Sequence, residues 1–134
     1  MSAVDDALLA ARARIAPRVA PSDLDRAAAD GAIVVDIRPR ELRERDGTLP
    51  GAIVVERNVL EWRLDPTCPD RLPQVRDRSQ RVVIVCDEGY ASSLAAATMR
   101  DLGLDDVTDL LGGYQAWKRH RAHAFPGSTG DDRH

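Results

Sequence analysis

The chain has 134 residues, of which 43% are apolar and 31% are charged, and its formal net charge at pH 7 is −3. That length fits one domain with a single hydrophobic core, and the composition is typical of a globular protein. The weak negative charge argues against a nucleic-acid-binding protein and against a polybasic membrane-binding segment.

We expect no signal for export or membrane insertion. The opening stretch MSAVDDALLAARARIAP is amphipathic, has two early acids and lacks the basic-then-apolar order of a secretory signal. No apolar run is long enough to span a bilayer. We therefore expect a cytoplasmic protein. In a reducing compartment its two cysteines, Cys68 and Cys86, are not expected to form a disulfide, and their spacing is not that of metal ligands.

Apolar periodicity, together with the positions of proline and glycine, predicts helices and strands in alternation. The predicted helices lie within residues 3–15, 21–31, 39–47, 58–66, 92–103 and 112–120. The predicted strands are a short extended piece at 18–20 and the apolar runs at 32–38, 52–55, 81–86 and 107–111. Three of the helices are expected to begin at polar caps: one at Ser22 or Asp23, one at Asn58 and one at Ser92 or Ser93.

The apolar runs also predict the fold class. Residues 32–38 and 81–86 show little polar alternation, which indicates strands buried on both faces, as in a parallel sheet. With the strand–helix alternation, this predicts one α/β domain with a mostly parallel sheet of about five strands and helices on both faces. Ligands of such sheets bind just beyond the carboxyl ends of the strands. Cys86 ends the second of these runs, so it is expected at that edge.

The position of Cys86 permits two interpretations. Free cysteine is often a small buried apolar residue, and Cys86 follows four aliphatic residues that could carry it into the core. The following residues favour a reactive thiol, because Gly89 permits a tight turn with exposed amides and such turns bind anions. The helix that begins at Ser92 or Ser93 points its N-terminus at the same place and would stabilise a nucleophilic thiolate. We favour the reactive thiol and keep the buried structural thiol as the alternative.

Three stretches resemble the motifs of single-domain rhodaneses, a family of thiol sulfurtransferases. VVDIRPRELRERDGTLPGA (34–52) resembles the family's first motif, an Asp-x-Arg at a strand end followed by a Gly-x-x-Pro-Gly-Ala turn. VVIVCDEGYASS (82–93) resembles the catalytic strand and loop, and DLLGGYQAW (109–117) resembles the closing strand, double glycine and helix. We therefore expect the chain to consist of an N-terminal helix at 1–17, a rhodanese-like domain at 18–126 and a flexible C-terminal tail at 127–134.

This resemblance implies covalent catalysis by Cys86. Cys86 would attack the outer sulfur of a donor such as thiosulfate, form a persulfide, and pass that sulfur to cyanide in an assay or to a thiol in the cell. The implied partners are a small sulfur-donor anion or persulfide and a thiol acceptor, and neither a metal nor an organic cofactor is needed. The implied substrate-binding residues of the loop are Asp87, Glu88, Gly89, Tyr90, Ala91 and Ser92.

The loop departs from the family pattern in its charges. Where many members carry an arginine, this chain has Ala91. The acids Asp87 and Glu88 would repel a dianionic donor if they face the pocket, which weakens the case for thiosulfate as the natural donor.

A cation from elsewhere could replace the missing loop arginine. Arg57 and Arg63 follow the predicted strand at 52–55, which should end on the same side of the sheet as Cys86. We prefer Arg63 as the substrate contact, because the neighbouring Trp62 can anchor its helix.

Four further side chains are interpreted: two as structural, one as incidental, and one with both interpretations left open. Asp36 and Arg38 are expected to brace the strand end, and Cys68, in a proline-rich loop, is interpreted as incidental rather than as a resolving thiol. For Tyr90, a pocket wall and a packed loop aromatic are equally expected.

Two other functions stay open alongside the sulfurtransferase that we favour. A phosphatase or arsenate reductase on the same fold needs an arginine at the far end of the loop to clamp phosphoryl oxygens, and Ser92 and Ser93 stand there instead. A non-catalytic, rhodanese-like binding or regulatory module with an inert Cys86 is the other alternative, and the acidic loop favours it.

Overall fold

The computed structural model describes residues 2–124, and the predicted tail at 127–134 lies outside them. The helices are α1 (Ala3–Ile15), α2 (Leu24–Ala29), α3 (Arg40–Asp46), α4 (Leu60–Leu64), α5 (Ala91–Asp101) and α6 (Gly113–Ala124). The strands are β1 (Ile33–Asp36), β2 (Ile53–Val54), β3 (Val82–Val85) and β4 (Val107–Asp109). Short 3-10 turns at Pro21–Asp23 and Arg57–Val59 lead into α2 and α4.

The strands form one sheet in the order β2–β1–β3–β4, and every pairing is parallel. The two central strands, β1 and β3, pair from Ile33 with Val82 to Asp36 with Val85. The α/β fold class with a parallel sheet is therefore confirmed. Because parallel strands end at the same edge, Asp36, Cys86 and Asp109 all lie at or next to the carboxyl edge of the sheet.

Both faces of the sheet are buried, as the apolar runs predict. Ile84 of β3 packs in one cluster with Ile15 of α1 and Met99 of α5. The neighbouring Val83 points to the other face and packs in a second cluster with Trp117 of α6. Burying each large aliphatic side chain in this way contributes roughly 1.5–3 kcal/mol of favourable transfer free energy.

The sheet has four strands rather than the predicted total of about five. The predicted extended piece at 18–20 contributes only an isolated parallel bridge between Val19 and Leu110. Pro17 and Pro21 flank this segment, and proline has no N–H to donate to a ladder. These prolines limit the pairing of this segment with the sheet to Val19.

Two predicted helix caps are wrong. Helix α5 begins at Ala91 with Tyr90 at the N-cap position, so Ser92 and Ser93 lie inside the first turn. Helix α4 begins after its 3-10 turn with Val59, and not Asn58, at the cap. For α5 the physical reason is that both serine hydroxyls bind a buried carboxylate, which is described below, rather than helix amides.

No helix within residues 2–124 has the length and apolar character needed to cross a membrane.

Candidate active site

Cys86 directly follows β3 and lines an open cavity of about 340 Å³. The residue is only 6% exposed, so a reactant has to approach its sulfur through this cavity. Asp87, Glu88, Tyr90 and Ala91 of the same loop also line the cavity. The structure therefore brings these predicted loop residues together around the predicted nucleophile.

The remaining predicted loop residues, Gly89 and Ser92, contact the sulfur directly. Their backbone N–H groups donate to Cys86 Sγ, with N···S distances of 3.2 and 3.3 Å. Gly89 can present its amide because it adopts φ +87°, a conformation that glycine reaches at no steric cost. The Ser92 N–H lies in the first turn of α5, where amides have no partner within the helix. Both amides and the positive end of the helix dipole stabilise negative charge on this sulfur.

The Ser92 hydroxyl connects the sulfur to a buried carboxylate that the sequence-based prediction missed. The Cys86 thiol donates to Ser92 Oγ at 3.1 Å, and the Ser92 hydroxyl donates to Asp109 Oδ2 at 2.7 Å. The Ser93 hydroxyl donates to the same oxygen at 2.7 Å. Asp109 is fully buried and forms an ion pair with Arg18 at 2.7 Å. The sequence feature that could have identified Asp109 is an acidic residue within the apolar run at 107–111.

The start of α6 supports the loop from another side. The Tyr114 N–H donates to the Cys86 carbonyl at 2.8 Å, and the Gln115 N–H donates to the Asp87 carbonyl at 3.0 Å. This approach requires glycine at position 113, where a β-carbon would lie 2.6 Å from the Cys86 carbonyl oxygen. The double glycine therefore allows α6 to bind the backbone of the cysteine loop.

The two acids of the loop have different environments. The Gln115 side chain donates to Asp87 at 2.9 Å and to Asp46 at 2.9 Å, so the Asp87 carboxylate is held toward α6. A hydrogen bond from Arg45 is the main cause that lowers the pKa of Asp46 to about 2. Glu88 is exposed at the cavity, where water and salt screen its charge.

Of the two arginines predicted to supply a cation, Arg57 reaches the cavity. Arg57 lines it and forms an ion pair with Glu61 at 3.0 Å. Arg63 donates to the Asp70 carbonyl and is absent from the cavity lining in the described part of the chain. The geometry therefore favours Arg57 over Arg63 as an anion contact.

Arg38 is fixed by its neighbours although it also lines the cavity. Its guanidinium forms a buried ion pair with Asp36 at 2.8 Å and donates to the Gly47 carbonyl at 2.9 Å. It also stacks over Tyr114, with Cζ 3.7 Å from the ring centroid. These contacts agree with the structural interpretation of Asp36 and Arg38.

Tyr90 and Cys68 differ in their relation to the cavity. Tyr90 lines it and is 59% exposed, which agrees with a pocket wall rather than a packed aromatic. Cys68 is a free, half-buried thiol and is not a lining residue of this cavity within residues 2–124. Over the same residues, no group of three or more His, Cys, Asp and Glu side chains could hold a metal ion.

Comparison with known proteins identifies the family. The family model of the rhodanese-like domain matches residues 20–120. The chain belongs to the rhodanese-like family.

Curated relatives connect this family to sulfur transfer. A sulfurtransferase of Allochromatium vinosum is 33% identical over 92 residues, which cover 68% of this chain and 76% of that protein. The adenylyltransferase and sulfurtransferase UBA4 of Candida albicans is 31% identical over 102 residues, 75% of this chain and 23% of that protein. The chain thus spans less than a quarter of the length of the UBA4 proteins that it matches. Both relatives are named as sulfurtransferases.

A solved structure is similar over nearly the whole chain. It is RPA3614 from Rhodopseudomonas palustris, a protein of unknown function described as a possible tyrosine phosphatase. It is 31% identical, has a TM-score of 0.79, and the match covers 90% of this chain and 92% of that one.

Proposed function

We propose that this protein is a sulfurtransferase that carries sulfane sulfur as a persulfide on Cys86. The observation that carries the proposal is the environment of Sγ, which accepts two backbone N–H groups within one loop and lines a cavity. A thiolate and a persulfide are both anions, and fixed amide dipoles stabilise anions without reorganising during the reaction.

The proposed reaction has two covalent steps. The Cys86 thiolate attacks the outer sulfur of the donor, so an S–S bond forms on Cys86 while the donor's own bond to that sulfur breaks. With thiosulfate, the bonding electrons leave with sulfite. In the second step an acceptor thiolate or cyanide attacks the outer sulfur of the persulfide. This step produces the acceptor persulfide or thiocyanate and regenerates the Cys86 thiolate.

The charges that line the cavity favour a donor of low net charge over a dianion. Arg38 is paired with Asp36 and Arg57 with Glu61, so both lining arginines are compensated, whereas the acids Asp87 and Glu88 add negative charge to the lining. We propose a low-molecular-weight persulfide or a monoanionic mercapto-acid as a better donor than thiosulfate.

Phosphoryl transfer is the competing chemistry, because RPA3614 is described as a possible tyrosine phosphatase. A phosphatase loop needs a guanidinium at its far end to hold the phosphoryl oxygens. Here that position is Ser92, whose hydroxyl binds Asp109 and Sγ. We therefore prefer sulfur transfer. The inert binding or regulatory module predicts a Cys86 that takes part in no turnover.

Steady-state sulfur transfer to cyanide tests the proposal. The donors are thiosulfate, 3-mercaptopyruvate and glutathione persulfide, and thiocyanate is the measured product. We expect ping-pong kinetics for wild type and for Cys68→Ala, which is the matched thiol control, and no turnover for Cys86→Ala. No thiocyanate from any donor would contradict the proposal and favour the inert module, and Cys86-dependent hydrolysis of an aryl phosphate would favour the phosphatase.

A further inference from the structure

Two arginines outside the cavity hold the cysteine loop from the side of α1. Arg12 of α1 donates to the Gly89 carbonyl at 2.8 Å, and Arg18, in the segment after α1, donates to the same oxygen at 3.0 Å. Neither arginine lines the cavity at Cys86 in the described part of the chain. We propose that Arg12 and Arg18 are positioning residues for the chemistry of Cys86. This inference rests on the proposed sulfur transfer.

The position of the Gly89 carbonyl fixes the direction of the Tyr90 N–H. The peptide bond between Gly89 and Tyr90 is trans, so its N–H points away from its carbonyl oxygen. With the carbonyl directed at the two guanidiniums, the Tyr90 N–H is directed away from them, and Tyr90 lines the cavity. Within residues 2–124 this N–H donates no hydrogen bond. It is therefore available to the outer sulfur of a persulfide on Cys86.

The hydrogen bonds from Arg12 and Arg18 to the Gly89 carbonyl are needed because residue 89 is a glycine. Gly89 has φ +87°, and glycine lets the following peptide rotate with little steric resistance. Hydrogen bonds from charged donors are roughly twice as strong as neutral ones, and the Ser93 hydroxyl adds a weaker contact to the same carbonyl at 3.3 Å. Without the two guanidiniums, this peptide could turn and withdraw the Tyr90 N–H.

Arg18 also fixes the polar groups next to the sulfur. Its Nε and Nη2 donate to the two carboxylate oxygens of Asp109 at 2.7 and 3.1 Å. The Arg18 side chain is 13% exposed and that of Asp109 is 0% exposed, so this ion pair is largely removed from water. Asp109 in turn accepts the hydroxyl protons of Ser92 and Ser93. One guanidinium thus orients both the loop carbonyl and the hydroxyl that contacts Sγ.

Arg12 permits a test that leaves no buried charge unpaired, because its hydrogen-bond acceptors, the Gly89 carbonyl and the Ser93 hydroxyl, are both neutral. Its guanidinium also lies 5.5 Å from the centroid of the Tyr90 ring, so the amide shift is compared within each variant before and after alkylation. Arg12→Met keeps the length of the side chain and removes its donors. Arg14→Met is the matched control, since Arg14 lies on the same helix and loses the same charge but pairs with the exposed Asp101. We expect Arg12→Met to lower kcat for sulfur transfer about tenfold. We expect its KM to stay within about twofold, and Arg14→Met to match wild type in both.

Arg18 requires a compensated variant, because Arg18→Met alone leaves the buried Asp109 carboxylate without its cation and can unfold the chain. Arg18→Met combined with Asp109→Asn removes both charges. We expect this double variant to fold and to lose kcat at least as strongly as Arg12→Met.

An NMR measurement separates this inference from the proposed function. In a Cys68→Ala background, which removes the other free thiol, iodoacetate alkylates Cys86 and places a carboxylate in the cavity. We expect the Tyr90 amide resonance to shift in that background and with Arg14→Met added, but not with Arg12→Met added. If Arg12→Met matches Arg14→Met in kcat and in this shift, the positioning role is overturned while sulfur transfer stands. If wild type transfers no sulfur, the proposed function fails, and the amide shift still decides whether Arg12 orients the loop.

Discussion

Replacing Gly113 by alanine should lower the free energy of unfolding more than the same substitution at a glycine where a β-carbon would meet no other atom. Gly113 has φ +64°, and a β-carbon there would lie 2.6 Å from the Cys86 carbonyl oxygen and 2.7 Å from the Asp87 carbonyl oxygen. These are backbone atoms, so the overlap cannot be relieved by a side-chain rotation. We expect Gly113→Ala to lower the free energy of unfolding by about 2–4 kcal/mol. About 1 kcal/mol comes from the left-handed backbone and about 1–3 kcal/mol from the overlap.

Gly51→Ala is the matched control for this experiment. Gly51 has φ +78°, and a β-carbon there meets nothing within 4 Å. It should therefore cost only the backbone part, about 1 kcal/mol. Urea unfolding followed by circular dichroism gives both values, and a sulfur-transfer assay should show a lower rate for Gly113→Ala alone. Equal destabilisation by the two substitutions would refute the argument that α6 packs tightly on the cysteine loop.

Three further predictions concern single side chains. Arg57→Ala should raise the KM for thiosulfate about fivefold, equivalent to about 1 kcal/mol, whereas Arg63→Ala should not change it; the opposite order in steady-state kinetics would restore Arg63 as the anion contact. Ser92→Ala should lower kcat about tenfold or more, because Sγ loses its hydroxyl partner, and an unchanged kcat would show that this contact is dispensable. The hydrogen bond from Arg45 lowers the pKa of Asp46 from 3.8 to about 2, so its stabilising contribution is complete above the unfolded value and is lost as the pH falls toward 2. Asp46→Asn should flatten that part of a stability–pH curve, and an acid limb like that of wild type would contradict this assignment.

The fold could be predicted because its main signals are local in the sequence. The apolar runs at 32–38 and 81–86 show little polar alternation, so their strands were expected to be covered on both sides. The predicted extended piece at 18–20 was different, because its pairing depends on the distant Leu110 and on the two prolines that flank it. The cap predicted for α5 failed for a related reason, since the Ser92 and Ser93 hydroxyls bind the distant side chain of Asp109 instead of the first amides of α5.

The candidate site also combines residues that are local in the sequence with residues that only the fold brings together. Cys86, Gly89 and the start of α5 follow one another along the chain, so a strand end, a turn and a helix N-terminus could be predicted together. Arg12 and Arg18 could not be selected, because their contacts with Gly89 join residues 77 and 71 positions apart. The preference for Arg63 rested on a neighbouring tryptophan. The directions in which the 3-10 turn presents Arg57 and α4 presents Arg63 are set only by tertiary packing.

Intact-protein mass spectrometry after treatment with a sulfur donor tests the persulfide most directly. With glutathione persulfide, 3-mercaptopyruvate or thiosulfate as the donor, wild type should gain the mass of one sulfur atom, which maps to Cys86 and is removed by cyanide. Cys68→Ala should gain the same mass and Cys86→Ala should gain none. A wild-type protein that takes up no sulfur from any of these donors, or a Cys86→Ala variant that still takes it up, would contradict the central claim.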